Sequence, residues 1–261
     1  MDTRIKFFGL AAYEITNNHG QKILIDPCLD GNPASPVKTT DLEKVDLLLI
    51  THLAFDHLGD AAVIAKKFHC PVVCGGEVKQ ALGSKGVDKE QIRTLSWGVQ
   101  LQVSGIRVRS IMSRHSSMGF DDSGNFLTGF PMGFIIYADP DARIYHSGDT
   151  AIYSDLRLVG ELYRPNIGLI SCCEVEKSFL EKHGIRDHYG SEMNGDEGAM
   201  AASWLGVDYA LCNHYLSPEN HADIDRFVSI LNSRTSDDKL LVKPVVLSAG
   251  QTFFFPAGRV E

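Results

Sequence analysis

A short apolar run at residues 45–50 ends in Thr51-His52-Leu53-Ala54-Phe55-Asp56-His57-Leu58-Gly59-Asp60, and no other stretch constrains the fold as tightly. An apolar run of this length reads as a strand buried on both faces. Polar residues follow it, and then a helical pattern at residues 60–68. A strand end is a rigid platform from which a short loop can aim several side chains at one point. Here that loop carries two imidazoles and a carboxylate, His52, Asp56 and His57, a donor set that suits a borderline divalent ion. Taken alone, the segment also fits polar loop residues with a helix cap, so the rest of the chain decides.

The placement recurs. His115 follows an alternating strand at residues 106–112. Asp149 follows Tyr145-His146-Ser147-Gly148, where the glycine permits a sharp turn. His214 follows a strand at residues 209–212. A single histidine of this kind is more often a hydrogen-bonded structural residue. Four ligand-type residues or groups, each just past an apolar strand, point instead to one site at the edge of packed sheets.

The organisation agrees. Strands at residues 5–8, 12–16 and 22–25 open the chain, with Asn17-Asn18-His19-Gly20 as the turn of a hairpin. Residues 29–40 read as a loop that rims a site. Further strands are expected at residues 72–74, 132–138, 143–146, 167–171, 242–247 and 252–255. Helices are expected at residues 77–82, 152–163, 195–205 with Asn194 as N-cap, and 222–231. Two strand-rich halves, each finishing in strand–helix units, imply two packed sheets with helices outside. No low-complexity linker interrupts the chain, so residues 1–261 read as one domain. Residues 116–131 and 173–193 are long and irregular, as functional lids often are.

Composition sets limits on partners. The formal charge of −8 offers no broad electrostatic footprint for nucleic acid or an anionic membrane. No apolar stretch is long enough to span a bilayer, and the N-terminal residues lack the pattern of a secretion signal. Six cysteines without a CxxC pair read as buried reduced thiols, which suits a cytoplasmic protein.

The order His52, Asp56-His57, His115, Asp149, His214 resembles the metallo-β-lactamase superfamily, whose hallmark is HxHxDH followed by distant His, Asp and His ligands. The resemblance spans nearly the whole chain and is similar to the branch of small hydrolases that includes ascorbate-6-phosphate lactonase. It implies an α/β fold, a four-layer α/β/β/α sandwich. It also implies one or two divalent ions, zinc foremost, with manganese and iron as alternatives. Carried over, one ion takes His52 and His115 and a second takes Asp56, His57 and His214, with Asp149 bridging.

One position departs from the pattern. Ala54 stands where the second imidazole of HxHxDH belongs, and a methyl group cannot bind a metal. The first position is therefore one ligand short unless water, substrate or a residue in or beside the second lid replaces it, with Glu174, His188 and Cys172 as the candidates.

The implied activity is metal-dependent hydrolysis of a small metabolite (a lactone, ester, amide or phosphoester) by a metal-bound hydroxide. Asp56 and Asp149 are the expected catalytic carboxylates. His146 is either an outer partner of the ligands or a buried strand histidine. Phe120, Phe126 and Phe130 are available to line a pocket. Arg114, Lys177, Lys182, Arg186 and His188 point to an anionic substrate. Two other readings remain open here: a catalytically silent metal- or ligand-binding protein with a degraded first site, and redox chemistry at bound iron. Oligomeric state is not legible.

Overall fold

The computed structural model describes residues 2–174, 177–182 (without the side chain of Phe179), 184, 186, 192–233 and 241–261. Two sheets form its centre. The first has eight strands in the spatial order Arg259–Val260, Thr252–Phe255, Thr3–Phe7, Tyr13–Thr16, Lys22–Ile25, Leu47–Leu49, Val72–Cys74 and Ile92–Thr94. The second has seven: Lys243–Val245, Tyr209–Asn213, Ile167–Ser171, Arg143–His146, Met132–Tyr137, Ile106–Met112 and Gln100–Val103.

Side-chain alternation explains why these segments stack as layers. In Leu47–Leu49, Leu47 and Leu49 join Ile23, Ile25, Phe134 and Ile136 in the core between the sheets. Leu48 and Ile50 turn the other way, packing with Leu24, Ile64, Ala65, Val78 and Leu82. Successive strand residues face opposite sides, so a continuous apolar run serves two cores at once. Helices Ala61–Phe68 and Gly76–Ser84 cover the first sheet. Leu156–Tyr163, Gly195–Leu205 and Ala222–Ser233 bring Leu156, Ala202 and Phe227 to the second. The result is the α/β/β/α sandwich of the metallo-β-lactamase fold.

Chain direction decides where chemistry can gather. Lys22–Ile25, Leu47–Leu49 and Val72–Cys74 pair in parallel, as do Arg143–His146, Ile167–Ser171 and Tyr209–Asn213. Parallel neighbours end on the same side, so the residues following them line one edge of the sandwich.

Most expected elements are present with shifted ends. Asn194 caps Gly195–Leu205 in a reciprocal box, its Oδ1 accepting from Glu197 N at 3.0 Å and Glu197 Oε2 accepting from Asn194 N at 3.3 Å. The helix expected at residues 152–163 begins only at Leu156. Residues 116–131 are not a structureless lid: Met118–Phe120 and Phe126–Thr128 pair as a hairpin. The second lid contains the short helix Lys177–Lys182. Strands Ile92–Thr94 and Gln100–Val103 were not expected; both are short and largely solvent-facing, so apolar patterning does not mark them. All six cysteines are buried and free. Among the described residues no helix is long and apolar enough to cross a membrane.

Candidate metal centre

The structure brings His52, Asp56, His57, His115, Asp149 and His214 to the sandwich edge defined by those parallel strands. All of them except the buried His57 line one cavity of about 440 Å³. Asp149, the Asp56-His57 pair and His214 arrive on constrained backbone. Gly148 has φ +56°, and a Cβ there would stand 2.9 Å from Met132 O and 3.0 Å from Thr51 Cβ, so only glycine lets the turn bring Asp149 against the Thr51-His52 loop. Gly59 has φ +41°, with Pro27 O at 2.5 Å from a would-be Cβ, which seats the one-turn helix Phe55–Leu58 on the preceding loop. His214 itself has φ +76°. A side chain other than glycine in that region costs about 1–3 kcal/mol and persists where its surroundings impose it. Here the constraint is backbone pairing with the opening loop, His214 N donating to Leu10 O and Leu10 N to Tyr215 O, both at 2.9 Å.

The imidazoles are oriented by what their Nδ1 atoms hold. His57 Nδ1 is 2.8 Å from Asp26 Oδ2. His214 Nδ1 is 3.1 Å from Cys173 O. His52 Nδ1 is 3.0 Å from Thr51 Oγ1, whose hydroxyl donates to Asp26 Oδ2 at 2.7 Å. A neutral ring that donates its Nδ1–H to these oxygens turns the Nε2 lone pair toward the centre. The buried Nε2 atoms of His52, His57 and His214 have no hydrogen-bond partner among the described residues. Asp149 Oδ2 lies 3.0 Å from His57 Nε2, 3.2 Å from His214 Nε2 and 3.9 Å from His52 Nε2, close in distance without hydrogen-bond geometry. Asp56 Oδ2 is 3.6 Å from His214 Nε2 and 3.8 Å from His57 Nε2. Ser171 Oγ donates to Asp149 Oδ1 at 3.1 Å and so turns Oδ2 inward. Converging buried lone pairs with engaged far sides form the arrangement of a carboxylate–histidine–metal site.

The electrostatics agree. Burial alone pushes His57 toward its neutral form, but the carboxylates of Asp149, Asp26 and Asp56 outweigh it and hold its proton well above the usual imidazole range. His214 behaves alike through Asp149 and Asp56. Burial would raise Asp149, yet His214 and His57 hold it well below the usual carboxylate range. The field around His57 and His214 thus favours positive charge, whereas burial and the neighbouring His57 hold His52 in its neutral, lone-pair form, and a divalent cation answers both without protons. Asp56, His57 and His214 offer donor atoms mutually within 4.8 Å, as do His52, His57 and Asp149.

Other expected residues are placed differently. Cys172 is buried against Gly198 in the core, its thiol pushed up by burial and by Cys173 and Cys212. Glu174 is exposed and meets Asp223 through its backbone N–H. Neither reaches the centre, and His188 lies outside the described residues. His146 is a buried strand histidine whose Nδ1 accepts from Gly148 N at 3.0 Å, bracing the Asp149 turn. Residues 29–40 do not line the cavity. Phe120 lines it with Phe126 stacked edge-on at 5.6 Å, whereas Phe130 packs on Trp97. Lys177, Lys182 and Arg186 are exposed and off the lining, and Arg114 covers the Tyr153 ring. Among the described residues the lining cation is Lys85, paired with Asp122 at 2.7 Å. The walls are mainly Leu53, Phe55, Leu58, Met118, Phe120 and Leu180.

Two residues escaped the sequence reading. Asp26 follows strand Lys22–Ile25 and so carried the same strand-end signal that marked the ligands. Glu192 offers a carboxylate oxygen within 4.8 Å of donor atoms of His115 and Asp149. It lies in the second lid, where no periodicity sets it apart.

Comparison with known proteins agrees with this picture. The family model of the beta-lactamase superfamily domain matches residues 21–215. A UPF0173 metal-dependent hydrolase of Archaeoglobus fulgidus is 38% identical over 254 residues, covering 97% of this chain and 99% of the relative. Another from Rubrobacter xylanophilus is 34% identical over 214 residues, 82% of this chain and 81% of the relative. Among solved structures, a metallo hydrolase from the archaeon Ignicoccus hospitalis superimposes with a TM-score of 0.76 at 25% identity, covering 98% of this chain and 99% of its own.

Proposed function

The chain belongs to the metallo-β-lactamase superfamily and, within it, to the UPF0173 metal-dependent hydrolases, and from that membership and the geometry of the centre we propose the reaction it runs: hydrolysis of a small metabolite with an apolar body and a lactone, ester or amide bond. The observation that carries this reading is the set of three buried Nε2 lone pairs turned on one carboxylate oxygen. Asp56, His57, His214 and Asp149 would hold one divalent ion, zinc before manganese or iron, and His52 and His115 would serve a second together with Asp149. A bound dication supplies Lewis acidity and lowers the pKa of the attacking water.

The protein's own groups do the rest. Asp149 keeps one oxygen on Ser171 and presents the other inward, and Asp56, on the cavity wall, accepts the proton that attack on the acyl carbon releases. As the acyl C–O or C–N bond breaks, that proton passes to the leaving oxygen or nitrogen. The hydrocarbon walls offer apolar contact to the substrate body. Lys85 is already neutralised by Asp122, which favours an acyl substrate over a phosphoester dianion. Cyclic esters come first in testing, since the ligand order resembles the branch that includes a lactonase.

The test is a panel of lactones, esters, amides and phosphodiesters assayed before and after chelation. The reading expects turnover of apolar acyl substrates, abolished by chelator and restored by Zn²⁺ or Mn²⁺. Tightly held metal with no turnover of any panel member would instead support the silent binder.

A further inference from the structure

We propose that Glu192 replaces the imidazole missing at Ala54, so that the first metal position is formed by His52, His115, Asp149 and Glu192; this rests on the metal-centred reading above. Ala54 and Glu192 line the same cavity. The carboxylate of Glu192 and donor atoms of His115 and Asp149 lie within 4.8 Å of one another, the spacing that a shared ion requires. His52 Nε2 is fully buried without a hydrogen-bond partner, and so is the His115 Nδ1 atom. The His52 and His115 rings meet edge to face with centroids 4.9 Å apart, and each offers a donor atom within 4.8 Å of Asp149.

The position of Glu192 is fixed from its C-terminal side. Met193 is wholly buried in the core, and Asn194 begins helix Gly195–Leu205 through its capping box. The carboxylate is therefore carried at the anchored end of the second lid, one residue from the core. A ligand delivered there by tertiary structure does in space what the HxHxDH spacing does in sequence. The replacement changes the centre's chemistry. Each position then has two imidazoles and two carboxylates, counting Asp149 for both, where the family pattern gives the first position three imidazoles. The extra carboxylate adds a negative charge and makes the first position harder, shifting its preference toward manganese or ferrous iron relative to the family's arrangement.

Metal stoichiometry tests this without reference to turnover. Full-length protein is stripped with chelator, reloaded with Zn²⁺, separated from free ion and measured by elemental analysis, alongside Glu192→Gln, Glu192→Ala and the double variant Ala54→His/Glu192→Ala. The expected result is two ions in the parent, one in each Glu192 single variant (or a second ion bound at least tenfold more weakly), and two again in the double variant. Return of the second ion with Ala54→His distinguishes lost ligation from a disturbed lid. Two ions of unchanged affinity in both Glu192 variants would overturn the inference while leaving the metal-dependent reading intact. A single ion in the parent would overturn it in the same way. No ion in any protein would overturn the underlying reading as well.

Discussion

Asp149→Ala loses the divalent ion and, with it, turnover. Asp149 Oδ2 is the one oxygen that faces His52, His57 and His214 together, at 3.9, 3.0 and 3.2 Å. Its removal leaves a buried imidazole cluster answered by Asp26 and Asp56, and a dication loses the carboxylate nearest the converging Nε2 atoms. The expected fall in metal affinity exceeds the ~10–100-fold typical of changes to groups that only orient ligands. Competition with a chromogenic chelator measures it, and far-ultraviolet circular dichroism checks that the sandwich persists. Asp149→Asn, which keeps the shape and the contact with Ser171 but not the charge, is expected to fail nearly as badly. Metal content and turnover at parental levels in both variants would remove Asp149 from the centre.

Asp26→Ala has the second largest effect, and it acts on folding as well as on the site. Asp26 is wholly buried and accepts from Thr51 N at 2.8 Å, Thr51 Oγ1 at 2.7 Å and His57 Nδ1 at 2.8 Å. Each donor left buried without an acceptor costs about 1–3 kcal/mol, so the loss of all three lowers stability by ~3 kcal/mol or more. Against a typical total of ~5–15 kcal/mol, that is a large shift in the urea midpoint. Freed from Asp26, the His57 ring no longer has its tautomer and direction set, and metal affinity is expected to fall by ~10–100-fold. Asp26→Asn retains one acceptor oxygen and should recover part of both losses. A midpoint within experimental error of the parent, with unchanged zinc affinity, would show that this buried network does not support the centre.

How much of this was legible in the sequence follows from how local each signal is. The fold class rests on apolar alternation and on turns, and these are properties of neighbouring residues: residues 47–50 face both cores by position alone. The six ligand-type residues were visible because each follows a strand, and parallel strands bring their ends to one edge. Asp26 obeyed the same rule and was passed over because no imidazole stands beside it to mark it. Glu192 had no local mark. Its place depends on Met193 entering the core and on Glu192 reaching the cavity wall, both consequences of packing over long sequence distance. The hairpin at Met118–Phe120 and Phe126–Thr128 was read as an irregular lid because its apolar residues are partly exposed, as at Phe120 and Phe126. Its anchor is equally non-local. Ser117 Oγ donates to the buried Glu77 carboxylate at 2.6 Å and accepts from Leu53 N at 2.9 Å, tying the hairpin to the His52 loop. The cationic lid inferred from Lys177, Lys182 and Arg186 went astray because charge in sequence does not say which way a side chain points.

The most direct test of the central claim is anomalous diffraction at the zinc edge from crystals of the zinc-loaded protein. The expected result is a peak coordinated by His57 Nε2, His214 Nε2, Asp56 and Asp149, with zinc–nitrogen distances of about 2.0–2.1 Å. A fully loaded crystal with its zinc elsewhere, and none among these four side chains, would contradict it.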